Sequence, residues 1–370
     1  MLYFDHNATS PLIPLACEAW LDATSRFVGN PSSPHRLGAR ADAALAQARE
    51  RLAAWLGCAA EDIVWTSGAT ESNNAVLHHA ALAGEGEAWI STVEHPCVIE
   101  AAQRHFAERQ QKIPVTRDGA ADLAWLAKAL QHKRPALVGV MAANNETGVL
   151  QPWREMLALC REHGVPFFCD AAQWIGKLPA AGLGACDFVS GCAHKFGGPQ
   201  GVGFLKVPAG FRAMIVGGPQ EDGRRAGTEN VAGVLAMIAA LEQREQQIAR
   251  GEIADRLAMR AEFESALLGV KILGAAADRL WNTVSAVMPE VADCRQRWVV
   301  KLDKLGFAVS TGSACASGRE KPSHVLSAMD IPPDAAGRAL RFSSGWETRA
   351  ADWEELLAGL QRAFTELSAA

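Results

Sequence analysis

Short apolar runs alternate with longer helical patterns through the first half of this chain, and that rhythm constrains the fold more than any other feature of the sequence. Ile63-Val64-Trp65 precedes a helix starting near Thr70, and Ala88-Trp89-Ile90-Ser91 precedes one starting near Pro96. Residues 136–140 precede a helix starting near Pro152, and the apolar run 165–169 follows it. A βαβα order of this kind implies a mainly parallel α/β sheet with helices on both faces. Ligands of such sheets collect outside the carboxyl ends of the strands. The polar residues fall there: Ser67-Gly68-Ala69-Thr70, Glu94-His95, Asn144-Asn145-Glu146, and Asp170 with Gln173.

The pattern changes after the amphipathic stretch 231–249. Residues 270–273, 283–287, 307–309 and 340–342 read as strands, 292–305 and 350–367 as helices. The expected architecture is a large domain over 15–260 and a smaller α+β domain built from 1–14 and 261–370, the smaller one carrying a cysteine-containing loop. A chain of 370 residues is long enough for both cores.

Composition narrows the function classes. Hydrophobic residues make up 49% and charged residues 21% of the chain, and the net charge is -5. No basic run is present to track a nucleic-acid backbone, and no apolar stretch approaches a membrane span. The nine cysteines are scattered, with no Cys-x-x-Cys, which points to free thiols in a reducing cytoplasm and to no metal site.

Lys195 is the sharpest chemical feature. It follows the apolar Phe188-Val189 and precedes the turn Phe196-Gly197-Gly198-Pro199. A lysine that ends a buried stretch must pair, deprotonate or bond covalently. Paired with Asp170 at the end of the preceding strand, it suits a lysine-bound pyridine cofactor; alone, it equally suits a partly exposed lysine before a loop. Ser67–Thr70 opens a helix and is either an anion site or a simple cap. His95, just after a strand, can stack on a flat ring and exchange protons, or be a hydrogen-bonded bystander. Cys315 differs from the core cysteines: its loop, Thr311 to Pro322, is small, polar and basic through Arg319 and Lys321, which favours a reactive thiolate. The alternative is an incidental surface thiol. Arg341, in an apolar strand pattern, needs an acid partner, a role that a substrate carboxylate would fill.

Together these segments resemble the class V, pyridoxal-phosphate-dependent cysteine desulfurases of the NifS/IscS type. The resemblance rests on Tyr3-Phe4-Asp5-His6-Asn7-Ala8-Thr9, Gly29-Asn30-Pro31-Ser32-Ser33-Pro34-His35, Thr66 to Asn73, Glu94-His95, Asn144 to Gly148, Asp170-Ala171-Ala172-Gln173, His194-Lys195, Arg224 to Asn230, Gly312 to Cys315 and Arg341-Phe342-Ser343. It implies a fold-type I transferase and a cysteine loop of the longer, group I form. It further implies that Lys195 holds pyridoxal 5'-phosphate, that Asp170 keeps the pyridine nitrogen protonated, that Gln173 bonds the phenolic oxygen and that His95 stacks on the ring. Ala69, Thr70 and His194 would hold the phosphate, with Thr228 supplied by the other subunit of a homodimer. Asn145 and Arg341 would bind the carboxylate of L-cysteine, and Cys315 would take its sulfur and pass it to an acceptor protein. Two departures stand out. Cys192 replaces the usual phosphate-binding serine, and a thiol is the weaker donor. The chain ends at Ser368-Ala369-Ala370, without the further tail that related enzymes use in docking to a scaffold. Selenocysteine lyase, another class V enzyme such as an aminotransferase, and a non-catalytic scaffold are the competing readings.

Overall fold

A computed structural model describes residues 1–291, 294–312 and 323–369, with the side chains of 294–296 excepted. In chain order the strands are β1 (Leu2–Tyr3), β2 (Ile63–Thr66), β3 (Ala88–Ser91), β4 (Gln110–Ile113), β5 (Leu137–Gly139), β6 (Phe167–Asp170), β7 (Phe188–Cys192) and β8 (Gly203–Lys206). They continue as β9 (Lys271–Ile272), β10 (Thr283–Val287), β11 (Phe307–Ala308) and β12 (Ala339–Ser343).

Seven strands form the main sheet in the order β2-β8-β7-β6-β5-β3-β4. Every pairing from β4 across to β7 is parallel, and only β8 runs against its neighbours. The carboxyl ends of β2, β3, β5, β6 and β7 therefore share one edge. β2, β3, β5, β6 and β7 are buried along their whole length, which is why they stand out as apolar runs. β4 is the exception. Its sequence, Gln110-Gln111-Lys112-Ile113, is half exposed at the sheet edge, so packing leaves no apolar signature and the strand is invisible to pattern reading. The helices Pro14–Arg26, Arg36–Leu56 and Leu123–Leu130 are likewise absent from the sequence reading, although Arg36–Leu56 buries Ala41, Leu45, Ala48, Leu52 and Leu56 at helical spacing.

A second core gathers Phe4, Phe263, Val284, Trp298, Phe342, Trp353 and Leu356. It is built on the antiparallel sheet β12-β10-β9 and the parallel pair β1-β11. The stretch read as a strand over 270–273 pairs only at Lys271–Ile272. The helix read over 292–305 is described as Cys294–Lys304.

The chain's N-terminal segment joins the cores. Beyond β1 it runs beside β12: Asp5 bridges Ser343, the Ser343 N–H donates to Phe4 O at 2.8 Å, and the Asn7 N–H donates to Ser343 Oγ at 3.0 Å. Asp5, Asn7 and Thr9 are carried in this way to the carboxyl edge of the main sheet. Close approach at that edge depends on glycine. A Cβ on Gly203 at the start of β8 would lie 2.6 Å from Gly68 Cα, and Gly68 itself has φ of 149°.

The long helix Val231–Ala249 buries one carboxyl unfavourably. Glu245 accepts a bond from the Ala180 N–H at 3.3 Å and has no cation among its described partners, and burial pushes its pKa up to about 7. Its folded pKa thus exceeds the ordinary value of 4.5, so the unfolded chain releases this proton first as pH rises. The folded state loses stability between those two pH values. Glu245→Gln should melt like the wild type near pH 4 and be more stable at pH 8, by about 1–2 kcal/mol after allowing for solvent screening. Melting curves at the two pH values check this.

Candidate active site

A cavity of about 740 Å³ opens at the carboxyl edge of the main sheet. Of the residues singled out in the sequence, it brings together Ala69, Thr70, His95, Asn145, Asp170, Gln173, Cys192, His194, Lys195 and Arg341. Thr228 is not among them. It sits on an exposed loop before the helix Val231–Ala249. Cys315, with Arg319 and Lys321, lies outside the described residues.

Lys195 closes a short turn after β7. Its Nζ donates to the backbone carbonyls of Asn7 at 2.6 Å and Ala8 at 2.7 Å, with no carboxylate paired to it among the described residues. Burial, reinforced by Arg341, lowers its pKa, although Cys192, Asp170 and Asp5 pull the other way. A lysine so placed is closer to the free amine a nucleophile must be. Lys195 is half-buried, and its side chain lines the cavity.

Asp170 ends β6 and is buried. Its Oδ2 accepts from Asn73 Nδ2 at 2.7 Å and its Oδ1 from the Ala172 N–H at 2.9 Å. Two donors fix the carboxylate without neutralising it, leaving it free to face a cation. Gln173 Nε2 donates to Asn7 O at 2.9 Å, which places Asn7 O within reach of both Gln173 and Lys195.

His95 caps the helix Pro96–Phe106. Its Nδ1 accepts from the Cys97 N–H at 3.2 Å and lies 3.0 Å from Cys97 Sγ. With Nδ1 accepting, the ring proton of neutral His95 sits on Nε2. Burial lowers its pKa, with Lys195 and His324 adding to the effect and Asp170 opposing it, so the neutral form is favoured. His194 bonds Thr9 Oγ1 at 3.2 Å, and burial lowers its pKa to about 4. Glu94 is wholly buried behind the site and burial raises its pKa well up; its Oε1 accepts from the Met141 N–H at 2.7 Å.

The phosphate-sized end of the cavity is the start of the helix Ala69–Ala83. Gly68 is its N-cap and no side chain caps it, while the Ala69 N–H is directed to the Cys192 sulfur. The simple-cap alternative for Ser67 or Thr70 is therefore not what the chain builds. Ser67 N–H instead donates to Glu71 Oε2 at 2.9 Å, and Arg225 holds Glu71 through a 2.9 Å contact. Cys192 lies at this end too, and burial pushes its thiol up to about 11. It therefore stays protonated and can donate weakly to an anion.

Arg341 on β12 is almost wholly buried. Its Nη2 meets Asp5 Oδ1 at 2.5 Å and its Nη1 donates to Asn145 O at 2.8 Å, while Nε has no described partner. The acid partner required by a buried guanidinium is supplied from within the chain. Sequence reasoning missed Asp5, Asn7, Asn73 and Cys97 as site residues. The polar run Asp5 to Thr9, in a segment with little else to do, was the available signal for the first two.

The residues fit a planar heteroaromatic aldehyde carrying an anionic group. An amine biased toward its neutral form, a carboxylate fixed without a cation, a neutral imidazole and an uncapped helix start share one cavity. The chain matches the family model described as aminotransferase class-V over residues 2–356. It is 40% identical to a cysteine desulfurase of Klebsiella pneumoniae, over 97% of this chain and 91% of that protein. It is 38% identical to the cysteine desulfurase NifS of Azotobacter vinelandii, over 92% and 87%. A solved NifS-like protein superposes with a TM-score of 0.90 at 30% identity, covering 99% of this chain and all of that one. A structure titled SspA in complex with cysteine superposes at 0.78 and 28% identity, covering 93% and 98%. The chain belongs to the class-V aminotransferase family. Within that family it groups with the cysteine desulfurases of the NifS/IscS type.

The Asp5–Arg341 pair carries a testable cost. Asp5→Asn would leave a buried guanidinium short of its counter-charge, and because Asp5 is partly exposed the loss should be about 2–3 kcal/mol. The shift in urea midpoint, against an unchanged slope, measures it.

Proposed function

We propose that this chain is a cysteine desulfurase that converts L-cysteine to L-alanine and leaves the sulfur as a persulfide on Cys315 for an acceptor protein. The observation that carries the reading is the meeting, in one cavity, of the Lys195 amine, the fixed Asp170 carboxylate, the neutral His95 ring and the Arg341 guanidinium. Pyridoxal 5'-phosphate, when bound, supplies an electron sink for the carbon that bears the substrate's amine.

The chain's own residues supply the rest. Lys195 Nζ holds the cofactor's aldehyde carbon and then moves the proton at the substrate's α-carbon. Asp170 keeps a proton on the ring nitrogen, and its bonds to Asn73 and Ala172 hold it in place for that. His95, on the cavity wall, would stack on the ring, with its Nε2–H available for proton transfer. Gln173 Nε2 donates to the phenolic oxygen. The N–H groups of Ala69 and Thr70, with His194 and the Cys192 thiol, would receive the phosphate. Arg341 and Asn145 take the substrate's carboxylate, Arg341 being held ready by Asp5. The Cys315 thiolate then attacks the substrate's sulfur; the carbon–sulfur bond breaks toward carbon, which takes up a proton.

Thr228 completes the phosphate site from a partner subunit in this reading. Its exposed position away from the cavity supports that, as do the exposed Trp20, Leu21 and Val28 at and just beyond the helix Pro14–Arg26. Among the described residues no helix is long and apolar enough to cross a membrane; the reading places the enzyme in the cytoplasm.

Lys195→Ala should abolish the visible absorbance band of the bound cofactor. Mass spectrometry after exposure to L-cysteine should find one added sulfur on the peptide containing Cys315. Cys315→Ala should stop sulfide release in the presence of reductant while the visible band remains. Persistent sulfide release from Cys315→Ala would reject the assignment.

A further inference from the structure

Four residues beyond Gln173, the turn after β6 buries a lysine that the reaction does not use. Lys177 is only 3% exposed. Its Nζ donates to Asn7 Oδ1 at 2.8 Å and to Gln173 Oε1 at 2.5 Å, and no carboxylate pairs with it among the described residues. Its turn is clamped by two tryptophans of the second half of the chain. Trp281 Nε1 donates to Lys177 O, and Trp346 Nε1 donates to Gly176 O, each at 2.8 Å.

Gln173 is an amide, and its two ends differ only in which hydrogen-bonds as donor and which as acceptor. Turning the amide over would set its oxygen against Asn7 O, acceptor against acceptor, and would take from the Lys177 Nζ–H its acceptor. With Lys177 in place, only one orientation satisfies both groups: Oε1 to Lys177 and Nε2 to Asn7 O, which leaves the second Nε2 hydrogen uncommitted. We propose that Lys177 is a positioning residue that fixes the Gln173 amide so that it offers a donor, and never an acceptor, to the cavity. The inference rests on the cofactor reading above and deepens it. A group bound against Gln173 must present an acceptor, as a phenolic oxygen does, and Lys177 enforces that selection without touching the ligand.

The charge state of Lys177 agrees with this role. Burial lowers its pKa far below the ordinary lysine value, Lys195 and Arg341 lower it further, and Cys192 opposes them weakly. His6 and His194 also feel its charge. Its two described hydrogen bonds go to the two amide oxygens. Asn7 Oδ1 also accepts from Asn282 Nδ2 at 3.0 Å, so it keeps a donor when Lys177 is lost, whereas Gln173 Oε1 has no other described donor.

The test is a double-mutant cycle on the holoenzyme with Lys177→Met and Gln173→Met, reading the pH midpoint of the bound cofactor's visible band. A donor on the phenolic oxygen weakens that oxygen's hold on the neighbouring proton, so losing the donor raises the midpoint. Each single variant should raise it by about one pH unit, and the double variant should rise no further than either. An unchanged midpoint in Lys177→Met, or shifts that add in the double variant, would overturn the proposal; additive shifts would mean that Lys177 acts by its own charge.

A second cycle covers the case in which Lys177→Met fails to retain cofactor. Gln173→Glu places a carboxylate beside Lys177, and the contact predicts that the two then pair. Gln173→Glu should melt close to the wild type, and Gln173→Glu with Lys177→Met should melt well below either single variant. If Lys177→Met costs no more in the Gln173→Glu background than in the wild type, the contact is not what holds Gln173. The melts read the contact with or without cofactor, so absence of a visible band in the wild type would sink the functional reading separately.

Discussion

One backbone carbonyl organises this site. Asn7 O accepts from Lys195 Nζ and from Gln173 Nε2, while the Asn7 side chain bonds Lys177, Asn282, Thr283 Oγ1 and Asn145 O. No strand of the main sheet contributes Asn7. It arrives on the N-terminal segment, laid beside β12 by the bonds around Ser343. The same docking aligns Asp5 with Arg341. Remove the segment and Lys195, Gln173, Lys177 and Arg341 would each lose a partner. The Lys195 amine and the Arg341 guanidinium come from different cores, and this segment couples their positions.

Burial does much of the chemical tuning. Burial lowers the pKa of both Lys195 and Lys177; cationic neighbours add to this at Lys177, while at Lys195 the nearby Cys192, Asp170 and Asp5 oppose it. His95 and His194 stay neutral for the same reason. Asp170 is treated differently: two hydrogen-bond donors hold it, and no cation pairs with it among the described residues. Amines biased toward neutrality beside a carboxylate kept free to face a cation form an arrangement suited to an electrophilic, nitrogen-containing ring. The departure at Cys192 is compatible with it, since the thiol remains protonated beside the helix start.

The elements legible in the sequence were those whose burial is uniform. β2, β3, β6 and β7 are buried on both faces and read as apolar runs. β4 is half exposed and leaves no apolar run to detect, whereas the helix Arg36–Leu56 carries a helical period that the reading passed over. The same logic applies to the site. Lys195, Asp170 and His95 end buried strands, where a polar residue is conspicuous. Asn73 and Cys97 lie inside helical patterns, and their roles come only from the neighbours that the fold gives them.

By itself the sequence determined the parallel sheet, the edge where its polar residues collect, and the family, because strand burial and local order are written into adjacent residues. Tertiary structure alone decided that Asp5 answers Arg341 across 336 positions, that Asn7 reaches Lys195 across 188, and that Lys177 faces an amide instead of an acid. Those contacts depend on two cores closing around one segment. Distances of that kind have no counterpart in the spacing of residues along a chain.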